Sequence, residues 1–96
     1  MARAIILNEG DNVATLVDPA REGEQVTLTG EATGTITIAA DISFGHKLAI
    51  RAIAAGEPIL KYGKVIGQAT QPIRAGQHVH VHNVEALRAR GDRKHA

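Results

Sequence analysis

The sequence predicts a mostly β protein with one or two short helices, on three observations. Apolar residues alternate with polar ones at period two in several short runs, the pattern of half-buried strands. Glycine, which occurs ten times, punctuates those runs as turns between strands require. With 96 residues there is room for one hydrophobic core and no second, so the strands must fold back on one another.

The elements follow in order. The opening MARAIILNEGDNV holds an apolar run too short for a signal-peptide core and no small-residue cleavage site. No later stretch approaches the roughly 20 apolar residues of a membrane span, and a soluble cytoplasmic chain with no membrane partner is expected. Asp11 is placed as the N-cap of a short helix in which Val13, Leu16 and Val17 share a face, until Pro19 discourages the helical state at Asp18. Strands follow where Val26 and Leu28 alternate with Thr27 and Thr29, and where Ile36 and Ile38 alternate with Thr35 and Thr37. Leu48 and Ile50 alternate with Lys47, Ala49 and Arg51, and Val79 and Val81 with His78, His80 and His82. From Val84 to Arg90, the residues Glu85, Ala86, Leu87 and Arg88 favour a closing helical turn.

One pattern recurs three times: Ala20-Arg21-Glu22-Gly23-Glu24-Gln25-Val26, Ile53-Ala54-Ala55-Gly56-Glu57-Pro58-Ile59 and Ile73-Arg74-Ala75-Gly76-Gln77-His78-Val79. A glycine precedes Glu or Gln, and an apolar residue stands three positions after the glycine. Glycine accepts a positive φ and leads a turn into a new strand, whose third residue can then point inward. The unequal spacing excludes a solenoid and leaves repeated corners in one folded-back, mostly antiparallel sheet.

Composition excludes several functions. There is no cysteine, so disulfides, iron-sulfur clusters, thiolate zinc and cysteine nucleophiles are absent, and a metal must use His, Asp, Glu or water. The formal charge is +1 and Phe44 and Tyr62 are the only aromatics, so the stacking platforms of a single-strand nucleic-acid binder are missing and no nucleic-acid partner is expected. The basic tail, residues 87–96, reads as a solvated terminus beyond a domain at 1–86.

Three stretches carry chemistry-bearing groups. In Gln77-His78-Val79-His80-Val81-His82-Asn83, an extended chain would line up the three histidines on one face, neighbours about 6.5 to 7 Å apart and His78 and His82 some 13 Å apart. Neighbouring imidazoles can then share an ion while all three cannot, and the pair His80/His82 is the candidate, with His78 dispensable at the strand's entry; the alternative is a solvent-facing strand that happens to use His. Asn83 ends the strand in a turn, fixing local backbone. Gly45-His46-Lys47 offers a proton acceptor or metal ligand and a point charge for a carboxylate or sulfonate. Lys61-Tyr62-Gly63-Lys64 reads either as an anion-facing segment or as a tight hairpin with solvated lysines. No phosphate-binding loop, dinucleotide fingerprint or Ser-His-Asp order is present.

The string GHKLAIRAIAAGEPILKYGKVIGQATQPIRAGQHVHVHNV, Gly45 to Val84, together with Asp11-Asn12-Val13, resembles the SAF domain of the altronate/galactarate dehydratase family. The resemblance implies a β-clip fold over 1–86. Since the given sequence stops at Ala96, it also implies the separate small-subunit form, as in sulfolactate sulfo-lyases, which works with a large lyase or dehydratase subunit. The implied reaction is a β-elimination on a hydroxy acid, in which a proton leaves the carbon next to a carboxylate while hydroxide or sulfite departs from the neighbouring carbon. The residues carried over are His46, Lys47, His80 and His82 as catalytic groups and Asp11, Asn12, Lys61, Tyr62, Gly63 and Asn83 as substrate-binding groups. His80 and His82 are also the implied metal ligands. The implied cofactor is a divalent metal, Fe2+, held mainly by the large subunit, and a homo-oligomer is compatible with the reading. The alternative is a non-catalytic SAF module that binds a sugar acid or a partner protein.

Overall fold

The structure, a computed structural model, describes residues 2–86. Nine strands form in chain order: β1 (Ala2–Ile6), β2 (Val13–Leu16), β3 (Gln25–Gly30), β4 (Gly34–Thr37), β5 (Lys47–Ala49), β6 (Pro58–Lys61), β7 (Lys64–Ala69), β8 (His78–Val79) and β9 (Val84–Ala86). Six of them make one sheet in the order β4-β3-β1-β2-β5-β8, and β6-β7-β9 make a second. β1 and β3 run parallel; every other pairing is antiparallel. The mostly β expectation is met. None of the described residues is helical, and no helix is long and apolar enough to cross a membrane.

Two cores hold the sheets, and the period of two feeds both. In β2, Ala14 and Leu16 enter a cluster with Ala4, Val26, Ile38 and Leu48, whereas Val13 points the other way into a cluster with Ala49, Ile53, Ile59, Ile73 and Val79. β5 divides in the same manner, Leu48 to the first core and Ala49 to the second. These two strands are buried on both faces, which corrects the expected helix after Asp11. The spacing of Val13, Leu16 and Val17 fits a helix face, but pairing of β2 between β1 and β5 overrides local propensity. The expected helical turn at Val84 is likewise corrected: Val84–Ala86 pairs with β7, and 87–90 lie outside the described residues, as does the tail.

The repeated corners are real, and among the described residues there are four. Glu24 N–H donates to Arg21 O at 2.9 Å, Glu57 N–H to Ala54 O at 3.0 Å and Gln77 N–H to Arg74 O at 3.1 Å, each around a glycine with φ near +87°. The fourth is Ser43-Phe44-Gly45-His46, where His46 N–H donates to Ser43 O at 3.1 Å and Gly45 has φ +83°. Every corner then docks on a neighbouring strand end by the same pair of bonds. Gly45 N–H donates to Leu16 O and Leu16 N–H to His46 O, as Gly76 N–H does to Ala49 O and Ala49 N–H to Gln77 O. Val26, Leu48, Ile59 and Val79, three residues after the four glycines, are each fully buried.

Candidate functional site

The four corners differ at one position, and that difference builds the site. In three of them the residue after glycine folds its side chain back to cap the turn. Glu24 Oε1 accepts from Arg21 N–H at 3.0 Å, Glu57 Oε1 from Ala54 N–H at 2.9 Å and Gln77 Oε1 from Arg74 N–H at 2.7 Å. In the fourth the residue is His46, which places no cap on the Ser43 amide. Its Nδ1 lies instead 2.9 Å from His78 Nε2.

Around His46 the imidazoles stack. Ring centroids are 5.0 Å apart for His46 and His78, 4.7 Å for His46 and His80, and 5.1 Å for His78 and His80. β5 and β8 bring the first two together, since Leu48 pairs with His78. The extended histidine stripe expected from the sequence is corrected here. The strand ends at Val79, the chain turns through 81–83, and Val81 is 82% exposed where alternation would bury it. The turn brings His82 to 5.4 Å from the His78 ring, tilted by 45°.

Asn83 makes that turn. It is 4% exposed, its Oδ1 accepts from His80 N–H at 3.0 Å, and its Nδ2 donates to His78 O at 2.8 Å. One amide thus fixes the backbones of two histidines. The structure gives Asn83 a positioning place beneath the imidazoles, and it gives Asp11 and Asn12 comparable places elsewhere. Asp11, 1% exposed, accepts from Tyr62 N–H at 2.9 Å and Gly63 N–H at 2.8 Å. Asn12 bridges Pro58 O and Leu60 N–H. Both clamp the β6–β7 hairpin, whose two-residue turn has positive φ at Tyr62 (60°) and Gly63 (71°), as a type I′ turn demands. A tight hairpin at 61–64 is therefore found, with Lys61 half-buried and Lys64 exposed. A Cβ at Gly63 would come 2.9 Å from Asn8 Nδ2, an exposed side-chain end that can give way, so it is the conformation that favours glycine there. Tyr62 is 63% exposed with Lys61 Nζ over its ring at 5.7 Å.

Two clefts flank the imidazoles. On one side His80 and Lys47 line a cleft of about 220 Å³ with Ile66, Val79, Val81, Val84 and Ala86; on the other, His78, His82 and Asn83 line one with Ala40, Gln71, Pro72 and Gln77. Burial, with the charge of Lys61 second, holds the Lys47 amine below its ordinary value. Burial also holds His78 below the usual imidazole value, helped by His46, His80, His82 and Lys47. A neutral imidazole is the form that accepts a proton or binds a metal.

The donor set fits a divalent transition metal. Ligand atoms of His46, His78 and His80 lie within 4.8 Å of one another. Two bonds of 2.1 Å at right angles set their nitrogens about 3.0 Å apart, close to the His46–His78 separation. The sequence pointed to His80 and His82 for this place; the structure groups His80 with His46 and His78, and His82 lies outside that set. His78 was passed over because the stripe was drawn as straight. The signal that could have found it is the fourth corner, Ile42-Ser43-Phe44-Gly45-His46-Lys47-Leu48, which fits the repeat apart from having His where the others carry Glu or Gln.

The fold defines the class first: an all-β module of two sheets on four like corners, with an imidazole-rich basic site at one of them. The chain belongs to the altronate/galactarate dehydratase SAF domain family, whose model matches residues 2–87. The folded-back β architecture agrees with the SAF-type fold that the family implies. The chain is 42% identical over 73 residues to altronate dehydratase of Escherichia coli, a match covering 76% of this chain but 14% of that protein. It is 55% identical over 47 residues to the (2R)-sulfolactate sulfo-lyase subunit alpha of Chromohalobacter salexigens, 49% of this chain and 50% of that one. The subunit alpha of Paracoccus pantotrophus is 42% identical over 53 residues, 79% of its length. The chain thus spans a small part of the dehydratases and half or more of these subunits.

Proposed function

We propose that this chain is the small subunit of a carbon–oxygen or carbon–sulfur lyase, supplying substrate-anion and acid/base groups to a site shared with a large subunit. The observation that carries the reading is the gathering of His46, His78 and His80 next to Lys47, in a family whose relatives include altronate dehydratase and a sulfo-lyase subunit alpha. The substrate is a small hydroxy acid.

Its chemistry follows from the charges. The proton next to a carboxylate is weakly acidic, and its removal needs positive charge where enolate-like charge builds up. Lys47 supplies that charge from the wall of the cleft and holds the carboxylate. The proton passes to an imidazole that does not hold the ion, His82 on this chain, a role worth on the order of 10² to 10⁴ in rate. The 2.9 Å approach of His46 Nδ1 to His78 Nε2 holds the two rings together, and Asn83 holds the backbone from which His78 and His80 project. The departing hydroxide takes a proton and leaves as water, whereas sulfite leaves as an anion. A divalent ion, Fe2+ by family resemblance, would be held by His46, His78 and His80 and would polarise the substrate's oxygens.

The test is reconstitution. The chain is mixed with a large lyase subunit and ferrous iron, and water loss from altronate or galactarate and sulfite release from sulfolactate are followed. Turnover that needs both chains supports the reading. Full turnover by the large subunit alone, or robust turnover by this chain alone, overturns it.

A further inference from the structure

The three-imidazole site has an unusual charge balance. Its ligands are neutral, so a bound dication would keep its full charge, and no Asp or Glu among the described residues joins the group. Lys47 stands on the wall of the cleft that His80 lines, and its charge reaches His78. Lys61 adds its own field at Lys47. A dication entering here meets ammonium charge, and its ligand group among the described residues brings no carboxylate.

Room is left for the missing charge. Three imidazoles fill three positions of an ion that takes four to six ligands. Besides Lys47 and His80 the cleft is lined by Ile66, Val79, Val81, Val84 and Ala86, and apolar walls strengthen any charge interaction inside. An oxygen anion placed there is attracted by the ion and by the ammonium together.

We propose that His46, His78 and His80 of this chain bind a divalent transition-metal ion cooperatively with a small carboxylate, which sits between the ion and Lys47. Linkage makes the effect mutual: the carboxylate raises affinity for the ion by the factor by which the ion raises affinity for the carboxylate. The proposal deepens the site just described, and binding is its only readout, so its failure and a failure of the lyase reading are separate results.

The test titrates Ni2+ into the 96-residue chain by calorimetry at pH 7.5, once in chloride and once in acetate at equal ionic strength. A His95→Ala background removes the one histidine outside the described residues. Acetate should lower the Ni2+ dissociation constant at least about fivefold, the lower end of ordinary coupling. Lys47→Met should tighten binding in chloride and reduce the acetate effect below about twofold, while Lys47→Arg keeps the effect. His46→Gln, which restores the side chain type of the other corners and so preserves the fold, should abolish binding; His82→Ala should leave it unchanged. Absence of Ni2+ binding, equal affinity in the two buffers, an acetate effect that survives Lys47→Met, or binding that survives His46→Gln would each overturn the proposal.

Discussion

His46 can be replaced in a way that separates what it does from what the fold needs. At the matching position of the other corners, Glu24, Glu57 and Gln77 cap the first amide of the turn with bonds of 2.7 to 3.0 Å. His46→Gln and His46→Ala both remove the imidazole, its contact with His78 and its stacking on two rings. They differ only in that Gln can cap the Ser43 amide. One exposed side chain-to-backbone hydrogen bond contributes about 0.5 to 1.5 kcal/mol. His46→Gln should therefore exceed His46→Ala in stability by about 1 kcal/mol, or about 4 to 8 °C in Tm for a domain of this size. Urea and thermal unfolding of the two variants measure the difference directly. Activity in the reconstituted complex should fall at least about tenfold in both, corresponding to about 1.4 kcal/mol of transition-state contact. If Gln is no more stable than Ala, the four corners are not equivalent. If Gln keeps full activity, the imidazole is not part of the site.

Asp11→Ala should cost about 2 to 4 kcal/mol in urea unfolding, because it leaves the Tyr62 and Gly63 amides without their acceptor at about 1 to 2 kcal/mol each; an unchanged midpoint would mean that the hairpin does not need its clamp. Asn83→Ala should weaken acetate-dependent Ni2+ binding by about tenfold while His82→Ala does not, since the Asn83 side chain bonds to the backbones of both His78 and His80. Because the folded chain holds His78 below the ordinary 6.5, the unfolded chain binds its proton first as pH falls. Stability should accordingly decrease as pH drops below the ordinary imidazole value and level off below the folded one. Urea midpoints at pH 7.5 and 5.5 should show this loss, and His78→Gln should reduce it.

Much of the fold was legible because burial and backbone geometry leave marks in sequence. Alternation at Val26/Leu28 and Leu48 gave strands, and the glycine-led repeats at Gly23, Gly56 and Gly76 gave corners that the structure contains. The helix placed after Asp11 misread a doubly buried strand, for a strand with apolar residues on both faces loses its period of two and can imitate a helix face. Asp11 was noticed, but its partners at Tyr62 and Gly63 lie 51 and 52 residues away in sequence, and no local pattern reveals such a pair. The site was half legible. His46, Lys47 and His80 were singled out by residue type, whereas the place of His78 depends on pairing of β8 with β5, a tertiary contact, and on how early the Asn83 turn ends the strand.

The central claim is that this chain lends its imidazoles to a lyase site completed by a larger subunit. The most direct measurement is single-turnover elimination by the reconstituted complex, comparing the unaltered chain with His46→Gln at equal occupancy of the large subunit. The account predicts elimination that depends on this chain and is lost with His46→Gln although the complex still assembles. Equal elimination by the two complexes would contradict it.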